Sequence, residues 1–269
     1  LITPLVVNAQ IIRQEVPIMI GASLLLMAFG LDGRLSLIDS VILLVLLVVY
    51  TVFLVVQSRR QTQATKDEYT PAAGPPSLQD KLPVQLLFIA VGLALLVVGS
   101  GWLVDAAISF AKAMGVSDLV IGLTIVAAGT SMPEVATSIT AALRKQRDIA
   151  IGNVVGSNTF NILGCLGVSG LAAPAGLEVP AAVLNFDIWV MLAVAFACLP
   201  VFLSGREIAR WEGGVFIAYY AAYTAYLVLA AQQHAALPAY SAAMLSFVLP
   251  ITVITLVVVM LRPGGRGSA

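Results

Sequence analysis

One carboxylate stands inside an apolar run of this chain. Residues 122–143 read GLTIVAAGTSMPEVATSITAAL, with Glu134 directly behind Gly-Thr-Ser-Met-Pro. An ionisable group at such depth costs at least ~2.5–3.5 kcal/mol on insertion scales, so it marks a functional position by default. Pro133 has no backbone N–H and its ring clashes with the carbonyl four residues back, that of Gly129. A helix here is predicted to break near 127–133 and to leave the carbonyls of Ala127, Gly129 and Thr130 without helical partners. Thr130 and Ser131 add hydroxyl oxygens and Glu134 adds charge. Thr137 and Ser138 follow three and four residues later, on roughly the same helical face. Irregular backbone at membrane depth is tolerated where it faces protein or a water-filled cavity. Carbonyls, hydroxyls and a carboxylate suit a hard cation such as Ca²⁺ or Na⁺ and do not resemble a thiolate or imidazole metal site.

A basic turn, RKQRD, leads to a second apolar run, IAIGNVVGSNTFNILG, at 149–164. Asn153, Ser157 and Asn161 are spaced by four and share one face. Gly152 and Gly156 form a small-xxx-small pair expected to let helices approach closely. A polar stripe packed on a broken helix is how a midplane ion site would be built. For Ser138 and Asn153 the alternative is a purely structural bond across the two helices.

The elements that must hold these groups follow from composition. Of 269 residues, 60% are hydrophobic and 10% charged, against about 25% charged in soluble domains. The chain therefore reads as an all-α polytopic membrane protein, and its zero formal net charge argues against nucleic acid as a partner. Eight spans of about 20 residues are predicted at 11–30, 37–57, 83–113, 118–142, 149–172, 181–203, 211–231 and 241–261. Residues 58–82, polar and rich in Pro, read as a flexible cytoplasmic linker. With the first residues in the cytoplasm, twelve of the 14 Lys and Arg residues fall inside; the exceptions are Arg34 and Lys112. That asymmetry is the positive-inside pattern. Cys165 and Cys198 lie in apolar runs and read as buried small hydrophobes. Glu15 and Asp187 stand at matching span starts and read as helix N-terminal charges. His234 falls in an external loop.

The chain also repeats itself weakly. LITP at 1–4 resembles LAAP at 171–174, EVPIMIGASLLLMAFGLDGR at 15–34 resembles DIWVMLAVAFACLPVFLSGR at 187–206, and VVYTVFLVV at 48–56 resembles AAYTAYLVL at 221–229. The offset is about 170–173 residues throughout. A repeat unit of five spans, 83–231, has an odd count, which forces its copies into opposite orientations, as in many secondary transporters. On this reading residues 1–57 are the last two helices of a first unit, 83–231 a complete second unit with its motif at 118–172, and 232–269 a loop plus an extra C-terminal helix. The counterpart of 83–170 would precede Leu1.

AAGTSMPEV and IGNVVGSNTFN resemble the α-repeat of the calcium/cation antiporter family, of the sodium/calcium exchanger type, with Gly-Thr-Ser-x-Pro-Glu on one helix and Gly-Asn-x-x-Gly-Ser-Asn on the next. The resemblance covers about 83–231 plus the first two spans. It implies ten spans in two inverted halves, an exchanger rather than an enzyme, and no cofactor. It implies that Glu134 and a Glu from the other repeat clamp Ca²⁺. It further implies that Thr130 gives its carbonyl and that Ala127, Ser131, Ser157 and Asn161 line Na⁺ positions. Asn161 stands where several relatives carry Asp, which removes a carboxylate and leaves open whether Na⁺ or H⁺ is the counter-ion. The expectation is a secondary active antiporter exchanging Ca²⁺ for Na⁺ or H⁺ by alternating access in a bacterial inner membrane, its partners the bilayer and the ions. The alternatives are a proton-coupled exchanger of another divalent cation, or an inactive fragment holding half of the ion site.

Overall fold

The computed structural model describes residues 4–68 and 81–261. Residues 1–3, 69–80 and 262–269 lie outside it, and with them most of LITP, the Pro-rich part of the expected linker and the tail of the last segment. Strand β1 (Leu5–Val6) precedes helix α1 (Ile11–Gly30), which opens with a π turn over Ile11–Glu15. Strand β2 (Arg34–Leu35) leads into α2 (Leu37–Glu68), and α3 covers Leu82–Ala113. The motif run begins with α4, made of Asp118–Ile121, a π turn Gly122–Val126 and Ala127–Gly129 in succession; α5 is Met132–Leu143. Helix α6 (Arg147–Ala172) has a π turn at Asn161–Cys165. Strand β3 (Leu177–Glu178), α7 (Val183–Leu203, π turn Val183–Asp187), β4 (Glu207–Ile208) and α8 (Arg210–Ala231) follow. The last helix, α9, runs through Leu237–Ala243, a π turn Met244–Val248 and Leu249–Leu261.

Among the described residues seven helices are long and apolar enough to cross a membrane. Apart from the end of α2, their bounds lie within four residues of the predicted spans. The eighth, 118–142, is present as two short pieces, because Pro133 and Gly129 interrupt it as their chemistry requires. Two expectations about where helices begin and end fail. Residues 58–68 are not loose linker but the end of α2; QTQATKDE is polar, yet rich in the straight-chain and Ala residues that favour helix. Glu15 and Asp187 do not sit at helix starts, since each closes a π turn inside a helix that has already begun.

The chain forms two compact units. The first comprises Leu1–Ser23, Gly99–Ser157 and Trp189–Ala269. Its core is an apolar cluster in which Val7, Ile12, Val16 and Met19 pack on Ile151, Val155, Ala195 and Phe202. Strand β1 pairs antiparallel with β4, Leu5 opposite Ile208 and Val6 opposite Glu207. The C-terminal helix is fastened here too. Tyr240 donates its hydroxyl to the Ala222 carbonyl at 2.8 Å, and the Tyr219 hydroxyl meets that of Thr252. Helix α8 in turn packs against the first two pieces of α4.

The second unit comprises Leu24–Val98 and Asn158–Ile188. Here β2 pairs antiparallel with β3, Arg34 opposite Glu178 and Leu35 opposite Leu177. Its tightest packing is α2 against the end of α6. A Cβ on Gly170 would overlap the Ser40 hydroxyl, one on Gly167 would lie 2.7 Å from Leu44 Cγ, and one on Gly164 would lie 3.2 Å from Leu47. Gly152 and Gly156, expected to mediate close approach, have nothing within 4 Å of their would-be Cβ atoms. The small-residue seam therefore lies about two to four turns beyond Gly156 on the same helix.

The sequence repeat has a structural counterpart. The pairs β1 and β3, the π turns 11–15 and 183–187, β2 and β4, and the starts of α2 and α8 recur at an offset of 172 or 173 residues. Each strand pairing joins two loops that the charge pattern places on the same side of the membrane, β1 and β4 inside, β2 and β3 outside.

Candidate functional site

Helix α4 ends at Gly129, and α5 begins at Met132 with Pro133 in its first turn. Between them Thr130 stays near helical geometry (φ −63°, ψ −23°) while Ser131 departs from it (φ −94°, ψ 3°). The Ser131 N–H donates to Ala128 O at 3.1 Å, one residue short of the α-helical acceptor. The Ala127 carbonyl instead takes the Thr130 hydroxyl at 3.0 Å. The Gly129 carbonyl would be served by residue 133, which is proline and has no donor. The interruption thus falls where the sequence puts it, within 127–133. Gly129 also allows close contact with α3, because a Cβ there would overlap the Val104 side chain.

Glu134 occupies the first turn of α5 and is half-buried. Ser-Met-Pro-Glu has the spacing of a reciprocal capping box, yet Ser131 makes no side-chain cap bond. Glu134 Oε2 is shielded from solvent and has no hydrogen-bond partner among the described residues. An unsatisfied buried oxygen costs roughly 1–3 kcal/mol, more when it is charged. The positive end of the helix dipole offsets part of that cost for a first-turn carboxylate. A cation would satisfy the remainder, and carbonyl, hydroxyl and carboxylate oxygens suit a hard metal ion.

Asn153 on α6 fixes this corner. Its Nδ2 donates to the Glu134 carbonyl at 3.0 Å and to Ser138 Oγ at 3.0 Å; Ser138 in turn donates to Ala150 O at 3.3 Å. The amide thus holds the backbone of the carboxylate residue from the neighbouring helix. Thr137 bonds back to Pro133 O at 2.8 Å, and Ser157 to Val154 O at 3.0 Å. Ala127, Thr130 and Ser131 are exposed beside the interruption. Glu134, Thr130, Ser131, Ala127, Ser138, Asn153 and Ser157 all belong to the first unit, whereas Asn161 begins the π turn of α6 and belongs to the second. There its Oδ1 accepts the thiol of Cys165 at 3.4 Å; that cysteine is exposed, not buried as its apolar surroundings led one to expect. Among the described residues no three His, Cys, Asp or Glu side chains cluster, so any cation here would rest on one carboxylate and neutral oxygens. The support given by α9 to α8, and by α8 to α4, had no motif to announce it; the paired aromatic and hydroxyl residues Tyr219 and Thr252 were its one signal.

Seven helices long and apolar enough to cross a membrane, among the described residues, define an integral membrane protein. Comparison gives the family. Residues 84–229 match the sodium/calcium exchanger protein family, and the chain belongs to it. It is 36% identical over 228 residues to the putative antiporter CaxA of Alkalimonas amylolytica, covering 83% of this chain and 70% of that protein. It is 32% identical over 200 residues to the inner membrane protein YrbG of Escherichia coli, covering 74% of this chain and 62% of that protein. Over 135 residues it is 42% identical to the sodium/calcium exchanger MaX1 of Methanosarcina acetivorans, covering 50% and 38%. Among solved structures it is similar to the sodium-calcium exchanger NCX_Mj soaked with Na⁺ and Sr²⁺, with a TM-score of 0.62 at 30% identity, covering 84% of this chain and 69% of the other. The chain thus spans between 38% and 70% of the length of these relatives.

Proposed function

We propose that the protein exchanges Ca²⁺ for Na⁺ or H⁺ across a bacterial inner membrane by alternating access, with Glu134 as the charged ligand. The reading rests above all on the shielded, unpartnered Oε2 of Glu134 beside an interrupted helix. Thr130 supplies its carbonyl, and Ala127, Ser131, Ser157 and Asn161 line neighbouring positions for the counter-ion. Ser138 and Asn153 position the Glu134 backbone. One ion type neutralises the carboxylate at a time, so the two cargoes exclude each other. Residues 1–57 form the tail of one repeat and 83–231 the other, and α1 and α7 slide over the core to open the site alternately. Homology to proteins named as exchangers supports this reading.

The test is Ca²⁺ flux into proteoliposomes under an imposed Na⁺ gradient, and separately under a pH gradient in Na⁺-free buffer. Glu134→Gln keeps the shape and removes the charge, and it should abolish Ca²⁺-dependent flux; retained flux would overturn the assignment. Asn161→Asp restores a carboxylate and should steepen the Na⁺ dependence. An unchanged Na⁺ response would show that this side chain is not a ligand.

A further inference from the structure

Three segments distant in sequence meet at the basic edge of the first unit. Strand β1 pairs with β4, and the Val7 N–H donates to Arg206 O at 2.7 Å. The turn between α5 and α6 closes over the same strand. Between them lies an open cleft of about 510 Å³, lined by Val6, Asn8, Lys145, Arg147, Asp148 and Ile149 among others. Lys145 and Arg147 face it, with Asp148 the one opposing charge in the lining. Arg144 precedes the turn, and Arg206 and Glu207 lie on the β4 side.

The turn is held in one shape. Lys145 has φ 61°, its N–H reaches Ala142 O at 3.1 Å, and the Gln146 N–H reaches Ala141 O at 2.8 Å. Glycine would occupy that left-handed position without the steric penalty of a Cβ. A strained basic residue where glycine would serve points to a use for the side chain.

A second cleft, of about 230 Å³, opens from the same strand and the same turn of α6. Leu5, Ile139, Ala142, Ile151, Val155 and Phe202 give it an apolar wall. Both clefts border β1 and the start of α6: Val6 and Ile149 line the first, Leu5, Ala150 and Ile151 the second. A cationic mouth beside an apolar slot, on the side the basic residues mark as cytoplasmic, matches an amphiphile with a negative headgroup; the cytoplasmic leaflet supplies such lipids. A soluble phosphate would use the first cleft and leave the second without a role.

We propose that these adjoining clefts bind one anionic phospholipid, its phosphate against Lys145 and Arg147 and an acyl chain along Leu5, Ile151 and Phe202. The site shares no charged group with the ion pathway; Ser138 borders the second cleft, but lipid retention is read without ion flux, so failure of one reading is distinguishable from failure of the other. The purified chain is offered phosphatidylglycerol and phosphatidylcholine of identical acyl chains, and retained lipid is read by native mass spectrometry. The wild type should retain phosphatidylglycerol preferentially. Each basic group near an anionic lipid is worth about fivefold in affinity. Lys145→Asn with Arg147→Gln should therefore weaken phosphatidylglycerol retention by roughly twentyfold and erase the preference. Asparagine tolerates the left-handed backbone, so the turn is kept. Asp148→Asn removes the opposing charge and should strengthen retention, a gain that misfolding does not produce. Equal retention of the two lipids by the wild type would overturn the proposal, as would an undiminished preference in the double variant. Displacement of the lipid by millimolar inorganic phosphate would also overturn it, since the occupant would then be a soluble anion.

Discussion

Asn153 separates a scaffold role from a ligand role, and its geometry gives a number. Its amide nitrogen makes two cross-helix bonds of 3.0 Å, to the Glu134 carbonyl and to Ser138 Oγ. Interhelical hydrogen bonds in membranes average about 0.6 kcal/mol each, with a maximum near 1.7. Asn153→Ala should then cost about 1.2 kcal/mol. For a chain of this size that lowers the unfolding midpoint by about 2–5 °C. Asn153→Asp should cost at least as much, because it loses both donors and sets a carboxylate against the Glu134 carbonyl. Ser138→Ala removes one of the two bonds, so its double-mutant cycle with Asn153→Ala should return a coupling near 0.6 kcal/mol. The assay is thermal unfolding in detergent followed by tryptophan fluorescence, with and without Ca²⁺. A positioning residue lowers the midpoint and leaves part of the Ca²⁺-induced rise, whereas Glu134→Gln removes that rise altogether. If Asn153→Ala leaves the midpoint unchanged and still abolishes the Ca²⁺ response, the residue is a ligand and the argument fails.

The glycine seam gives a paired test. Gly170→Ala drives a methyl into the buried Ser40 side chain and should destabilise by about 1–3 kcal/mol. Gly152→Ala meets open space and should be neutral or stabilising by up to about 1 kcal/mol; thermal unfolding of the two variants checks the contrast, and equal effects would refute it. Tyr219→Phe removes the hydroxyl shared with Thr252 and should loosen α9 from α8. Limited proteolysis between residues 232 and 236 should then run faster than in the wild type, and an unchanged rate would show that the aromatic ring alone holds the two helices.

What the sequence disclosed was set by the strength of the local signal. Apolar runs of membrane length place the helices to within a few residues, because lipid admits little else. The interruption at Thr130–Ser131 was legible because proline lacks a donor wherever it stands. The glycine seam was misplaced, since Gly152–Gly156 and Gly164–Gly167–Gly170 are equally permissive and tertiary packing alone decides which meets a neighbour. Two-residue strands are too short to carry an alternation, so the pairings of β1 with β4 and of β2 with β3 left no trace in hydropathy. Spacing alone leaves Asn153 open between an oxygen ligand for a cation and a bond between helices; its two 3.0 Å contacts exist only once α5 and α6 are packed. Asn161 lies on the same face as Asn153 by spacing, yet its recorded bond is local, with Cys165.

The short strands restrict how the helices they flank are able to travel. The strand before α1 is laced to the strand after α7, and the strand after α1 to the strand before α7. Neither rod is able to advance alone without tearing four backbone ladder positions. A displacement of one of them must therefore drag its fellow along, and the smallest mechanical part here is a yoked couple of helices.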